Sequence, residues 1–281
     1  MRQPLVELTV AADQIDAGSD VLWASGASAI EERLAVDGRI ALVADAEPAA
    51  VERAVVDRWP MVVIMVDADA ALDGWRAHAR TERAGGRIVI RPPWVPLVAE
   101  PDDLVLQIDP GRAFGSGSHP STRLALTAID VISAELPGAR VLDVGCGSGV
   151  LAVAAARLGA GEVLAIDVDA TAPPVTAANA ARNGVADRVV PSAGALGDVA
   201  GPFDIVLVNI SRAASIELAP TVSSITGPGG CVVLSGFLAV HGDDVAGAYP
   251  WMTPEHRLVD AGWGALVMRA ARAVRASEPS R

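Results

Sequence analysis

Hydrophobic positions in the first 67 residues fall into two rhythms. LVELTV at 5–10, AIEERLAV at 29–36, RIALVAD at 39–45 and MVVIMVD at 61–67 carry strand-like apolar spacing. Between them, the stretches near 14–25 and 48–58 carry helical spacing. The order βαββαβ predicts the ferredoxin-like split unit, one antiparallel sheet with both helices on one face. Residues 69–80, ending in WRAHAR, read as a connecting helix, and TERAGG at 81–86 is polar and Gly-rich enough to read as a hinge.

From residue 87 the pattern becomes strands separated by helices of about ten residues or more, the mark of a mostly parallel, doubly wound sheet. The predicted strands are ARVLDVG, EVLAIDVD, DRVVPS, FDIVLVN and GCVVLSG, closed by a pair near HRLVDA and GALVMRA, seven in all. The fold class is therefore α/β, a seven-stranded Rossmann-like sheet preceded by a small ferredoxin-like α+β domain. The expected domains are 1–68, a linker helix and hinge at 69–86, a catalytic domain at 87–271 and a tail at 272–281, where RAVRASEPSR lacks apolar periodicity.

Composition narrows the chemistry. Hydrophobic residues make up 51% of the 281 positions, yet no apolar run approaches the roughly 20 residues of a membrane span. The start, MRQPLVELTV, has no basic cluster leading into an apolar core, so a soluble, cytoplasmic protein is expected. The net charge is -12 and the chain contains no Lys, which argues against direct nucleic-acid binding and for a small molecule or a basic protein as partner. Cys146 and Cys231 are the only cysteines and read as buried reduced thiols, and no metal site is expected.

The segment from Val141 to Gly149, VLDVGCGSG, is an apolar strand ending in G-x-G-x-G that runs into the helical VLAVAAARLGA. Glycines at Gly145 and Gly147 let the backbone turn sharply and approach a ligand without an intervening Cβ. Asp167 ends the next strand 22 positions after Gly145, where a carboxylate can accept from both hydroxyls of a ribose. The alternatives for Asp167 are a helix cap or a solvated turn, with Asp169 the better cap.

The loop lacks the G-x-G-x-x-G spacing that wraps a dinucleotide pyrophosphate, and S-adenosylmethionine has no phosphate to hold. Asp143 places a carboxylate near the expected position of that cofactor's cationic methionine end, which favours methyl transfer over NAD-dependent hydride transfer. Its alternative role is a strand-end residue bonding nearby backbone N–H groups. Asn209 closes FDIVLVN at the crevice end of its strand, where its amide could orient an attacking nitrogen or merely form a turn. The segment from Asp109 to Thr122, DPGRAFGSGSHPST, is dense in Gly, Ser and Pro, feeds a helix near Pro120 and should cover the cofactor. His119 reads first as a structural hydrogen-bonder in that loop and second as a base.

The blocks DPGRAFGSGSHPSTRLAL, VLDVGCGSGVLAVAAARLGA with AIDVD, NAARNGVADRV, FDIVLVNI and LSGFL resemble the methyltransferases that modify large-subunit ribosomal protein eleven. The resemblance spans residues 87–270. It implies S-adenosylmethionine as cofactor, contacts at Thr122, Gly145, Asp167 and Asn209, and N-methylation of lysine or α-amino groups on that basic protein, gripped by the N-terminal domain. Another protein lysine or a small molecule is the alternative acceptor. Two stretches depart from the family pattern: Ser211-Arg212 stands where Leu-Ala is usual, and Pro173-Pro174 opens the helix after Asp167.

Overall fold

A computed structural model describes residues 2–27, 30–35, 38–56, 58–67, 76–111 and 113–272. The chain divides into two compact units, Met1–Ala79 and Arg80–Arg281. Most of the expected linker helix and all but Arg272 of the expected tail lie outside the described residues.

The first unit runs β1 (Arg2–Val10), α1 (Ile15–Ala24), β2 (Ile30–Leu34), β3 (Ile40–Ala44), α2 (Pro48–Val55) and β4 (Met61–Asp67). Its sheet order is β2-β3-β1-β4 with every pairing antiparallel, the arrangement of a split βαβ unit. Alternate β1 residues Val6, Leu8 and Val10 are buried with Leu42 of β3, Leu22 of α1 and Val51 and Val55 of α2. The period of two in β1 and the helical spacing of α2 thus meet in one core. Trp59 closes it and donates its indole N–H to Gln14 at 3.0 Å.

The second unit opens with a three-stranded sheet, β5 (Glu82–Ala84), β6 (Ile88–Arg91) and β7 (Leu104–Gln107). The stretch 81–86 is accordingly no free hinge. It forms β5 and the turn into β6, because Gly85 N donates to Thr127 Oγ1 and Gly86 N and Arg87 Nε donate to Asp130, satisfying a backbone that composition alone left open.

The main sheet contains β8 (Arg140–Val144), β9 (Glu162–Asp167), β10 (Val189–Ala193), β11 (Phe203–Asn209), β12 (Thr226–Leu238), β13 (Met252–Asp260) and β14 (Trp263–Ala270). Their order is β10-β9-β8-β11-β12-β14-β13, and every strand runs in one direction except β14, which pairs antiparallel with both β12 and β13. Helices α3 (Pro120–Val131), α4 (Val150–Arg157), α5 (Ala172–Arg182), α6 (Arg212–Glu217), α7 (Ala219–Ile225) and α8 (Gly242–Gly247) accompany it.

Both faces of this sheet are covered, which is why its central strands are almost continuously apolar. In β11, Ile205 and Leu207 enter one core while Val206 and Val208 enter the other. Strand order reverses between β8 and β11, so their carboxyl ends flank the crevice where open α/β sheets bind ligands. Pro173 and Pro174 fit the start of α5 because the first-turn N–H groups of a helix have no intrahelical partner to lose.

Leu207 is fully buried in this central strand. Replacing it with Ala is expected to lower the unfolding free energy by about 2–5 kcal/mol, read from urea denaturation of the purified protein.

Candidate cofactor and acceptor site

The glycine loop is built by sterics. Gly145, Gly147 and Gly149 have φ of 70, 52 and 77°, the left-handed region that residues with a Cβ rarely adopt. A Cβ on Gly147 would lie 2.7 Å from the carbonyl oxygen of Phe114, and one on Gly145 would lie 2.5 Å from Ile210 Cγ2. The loop is thus pressed between the 109–119 segment and the residue that follows Asn209.

The 109–119 segment does cover the loop. Ser148 N donates to Phe114 O at 2.8 Å, and Ser148 Oγ donates to Gly115 O at 2.7 Å. From α5, Asn179 Nδ2 donates to both Asp109 O and Ser148 O at 2.9 Å, while its Oδ1 accepts from Asp109 N at 3.0 Å. One turn later Asn183 repeats the pattern on Gln107, accepting from its N–H and donating to its carbonyl at 2.8 Å. Sequence reasoning missed this pair. The available signal was two asparagines four positions apart on an alanine-rich helix, a spacing that puts both on one face.

Asp167 sits at the tip of β9, and its oxygens accept from Gly147 N and Asp169 N, both at 2.9 Å. It therefore braces the glycine loop, and each carboxylate oxygen keeps a second lone-pair direction. Asp169 acts one step on, accepting from Thr171 N and Thr171 Oγ1 in the turn before α5.

Asp143 is 1% exposed. One oxygen accepts from Ala152 N of α4 at 3.0 Å, the backbone role considered for it from sequence. The other, Oδ1, is buried with no hydrogen-bond partner among the described residues. Burial above all, and then the neighbouring Asp167 charge, push the Asp143 carboxyl up to about 7 against the opposing pull of Ala152 N.

Two other expected site residues share this condition. Thr122, fully buried in the first turn of α3, has no partner for Oγ1 among the described residues, and neither has Asn209 Oδ1 at the end of β11. Strand register relates them. Leu207 pairs with Asp143 across β11 and β8, and Asn209 pairs with Ser235 across β11 and β12. Ser235 Oγ makes 3.0 Å contacts with Ser121 O, beside Thr122, and with Gly264 O of β14. Thr122, Asp143, Gly145, Gly147, Asp167 and Asn209 thus all stand at or just beyond the carboxyl ends of the central strands.

His119 is the N-cap of α3: its Nδ1 accepts from Ser121 N at 3.2 Å and meets Ser121 Oγ at 2.7 Å. Its ring lies edge-on to Phe114 and Trp263, with centroids 5.5 and 4.4 Å away. Burial, aided by Arg123, pushes its pKa down to about 4. His119 is therefore a neutral cap whose ring lone pair is committed, and it is no base at neutral pH. Ser211 proves to be a cap as well, accepting from Ala214 N at the start of α6, while Arg212 faces Asp244 at 3.8 Å. Cys146 and Cys231 are buried thiols, both pushed up to about 12 by desolvation, and no cluster of metal-ligating side chains occurs among the described residues.

A parallel seven-stranded sheet closed by an antiparallel hairpin, with a glycine loop and an acidic strand tip at its switch point, defines a Rossmann-like methyltransferase. The chain belongs to the ribosomal protein L11 methyltransferase (PrmA) family, whose model matches residues 59–271. It is 39% identical over 214 residues to the ribosomal protein L11 methyltransferase of Geobacter sp. (strain M21), covering 75% of this chain and 70% of that one. It is 47% identical over 174 residues to the corresponding protein of Syntrophotalea carbinolica, covering 62% of this chain and 57% of that one. In structure it is similar to a ribosomal protein L11 methylase from Lactobacillus delbrueckii subsp. bulgaricus, with a TM-score of 0.63 at 29% identity, over 69% of this chain and 100% of that chain.

Gly147→Ala is expected to lift the covering segment from the glycine loop and weaken binding of S-adenosylhomocysteine at least about tenfold by calorimetry, since a bad contact and a left-handed φ act together. The His119 ring resonances should stay flat in NMR titrations from pH 8 to 5. Because its folded pKa lies below the unfolded value near 6.5, this group withdraws stability as pH falls from about 6.5 towards 4.

Proposed function

We propose that this protein transfers methyl groups from S-adenosylmethionine to lysine side chains or the α-amino group of ribosomal protein L11. The observation that carries the reading is the set of buried, unpartnered atoms Thr122 Oγ1, Asp143 Oδ1 and Asn209 Oδ1 around a glycine loop, in a chain of this family. Leaving such atoms unpaired costs roughly 1–3 kcal/mol each, a cost that a polar ligand removes.

The residues present fit the cofactor. Gly145 and Gly147 offer backbone with no side chain in the way, Asp167 has lone pairs for the ribose hydroxyls, and Thr122 and Asp143 would hold the amino-acid end. When bound, S-adenosylmethionine supplies a methyl group already activated on a sulfonium, so the protein needs neither a nucleophilic side chain nor a metal.

What remains for the chain is geometry. Asn209 Oδ1 accepts an N–H of the incoming amine and aims the nitrogen lone pair along the line of transfer. Such alignment, in a site from which water is excluded, is worth up to about 7–11 kcal/mol in well-oriented intramolecular cases. The amine must arrive neutral although free Lys has a pKa near 10.4, and desolvation at the crevice lowers it. With its lone pair bound to the start of α3, His119 takes no proton from it.

The N-terminal unit selects the target in this reading, and the net charge of -12 suits a basic ribosomal protein in the cytoplasm. No helix among the described residues is long and apolar enough to cross a membrane.

The test is transfer of radiolabelled methyl to purified L11. The intact protein is expected to label it, Asn209→Ala to lower kcat on the order of 100-fold, and Asp167→Ala to raise the KM for the cofactor at least about tenfold. Cofactor binding without labelling of L11 would transfer the reading to another protein lysine or a small-molecule amine.

A further inference from the structure

We propose that Asp143 is protonated in the ligand-free protein and releases its proton to solvent when the cationic amino-acid end of the methyl donor binds, making donor binding proton-linked. The inference rests on the cofactor reading above and deepens it.

The geometry around Asp143 leaves its carboxyl little support for a charge. It is 1% exposed, has a single donor in Ala152 N, and ends in an oxygen with no hydrogen-bond partner among the described residues. A buried carboxylate with one hydrogen bond and no counter-ion is far costlier than the neutral acid.

The groups on the surrounding elements do not relieve it. From β9 comes Asp167, a like charge that is itself bonded to Gly147 N and Asp169 N. The glycine loop brings Cys146, a thiol held neutral by burial, with Thr176 Oγ1 at 3.4 Å. β11 brings Asn209 and α3 brings Thr122, both uncharged. At the far end of α4, Arg157 donates to Val105 O. Burial and Asp167 together place the carboxyl's titration near 7, inside the physiological window.

Entry of a cation beside Oδ1 supplies the missing counter-charge. The carboxyl O–H bond breaks, its electron pair stays on oxygen, and the proton passes to buffer, leaving a carboxylate paired with the ligand's positive charge. Well above pH 7 the group is already ionised and little proton release accompanies binding. Well below pH 7 each binding event releases about one.

Titration of the full chain with S-adenosylmethionine at pH 6, in buffers of different ionisation enthalpy, counts the protons directly. We expect about one proton released per ligand, and an affinity that rises on the order of tenfold between pH 5.5 and 7. That window lies below the ligand's own α-amino titration near 8 and above that of His119 near 4. 5′-Methylthioadenosine keeps the nucleoside and thioether but lacks both cationic centres, and should bind with no proton release. Asp143→Asn keeps an oxygen for Ala152 N and cannot titrate, so its donor affinity should be flat over the same window. Donor binding with no proton release, or release unchanged in Asp143→Asn, overturns the inference and leaves the methyltransferase reading standing. Failure of the donor to bind at all overturns both.

Discussion

The side-chain amide of Asn179 is the interaction on which the site depends. Three of its hydrogen bonds reach Asp109 and Ser148, so one buried residue of α5 fixes both the start of the covering segment and the tip of the glycine loop. The amide suits this task because it donates and accepts without carrying charge. A carboxylate there would repel Asp109 O and Ser148 O, and an aliphatic residue would strand their polar groups. Asn183 continues the grip onto β7, so the small three-stranded sheet and the main sheet are held in register from a single helix face.

The arrangement is economical because the same atoms stabilise and shape. Asp167 holds Gly147 N and thereby sets the loop into which Phe114 O fits. His119 caps α3 while its ring packs against Phe114 and Trp263. Both side chains are committed to the scaffold, which suits a transfer reaction that asks for alignment and dryness. Among the buried side-chain atoms without a hydrogen-bond partner, those of Thr122, Asp143 and Asn209 belong to residues at the crevice end of the sheet.

Much of this was legible in the sequence. The central strands of the main sheet follow from apolar runs bounded by turns, because covering both faces of a sheet forces continuous hydrophobicity, while the exposed edge strands β10 and β13 carry a weaker pattern. The glycine loop and Asp167 could be read from spacing, since a sharp strand-to-helix turn admits few residue types. Other features were hidden because they rest on pairings distant in the chain. TERAGG reads as a hinge until Thr127 and Asp130, more than 40 positions away, accept its N–H groups. Asn179 and Asn183 look like ordinary helix positions until strand β7 arrives beside them. Ser211 and the two prolines at 173–174 look like anomalies at the level of pattern, and are a cap and first-turn residues at the level of backbone hydrogen bonds.

The antiparallel closure of the sheet also sets the order in which the site can come into being during synthesis. Ser235, the neighbour of Asn209, reaches both the first turn of α3 and Gly264, while His119 rests on Trp263 and Arg123 pairs with Asp260. Strand β14 therefore completes the end of the crevice near Asn209 although it comes last among the described strands. A nascent chain that has emerged only as far as β12 holds the glycine loop and Asp167 but not the hairpin on which Ser235, His119 and Arg123 rest. The final hairpin acts as a biosynthetic latch, and the site is finished only once β14 has left the ribosome.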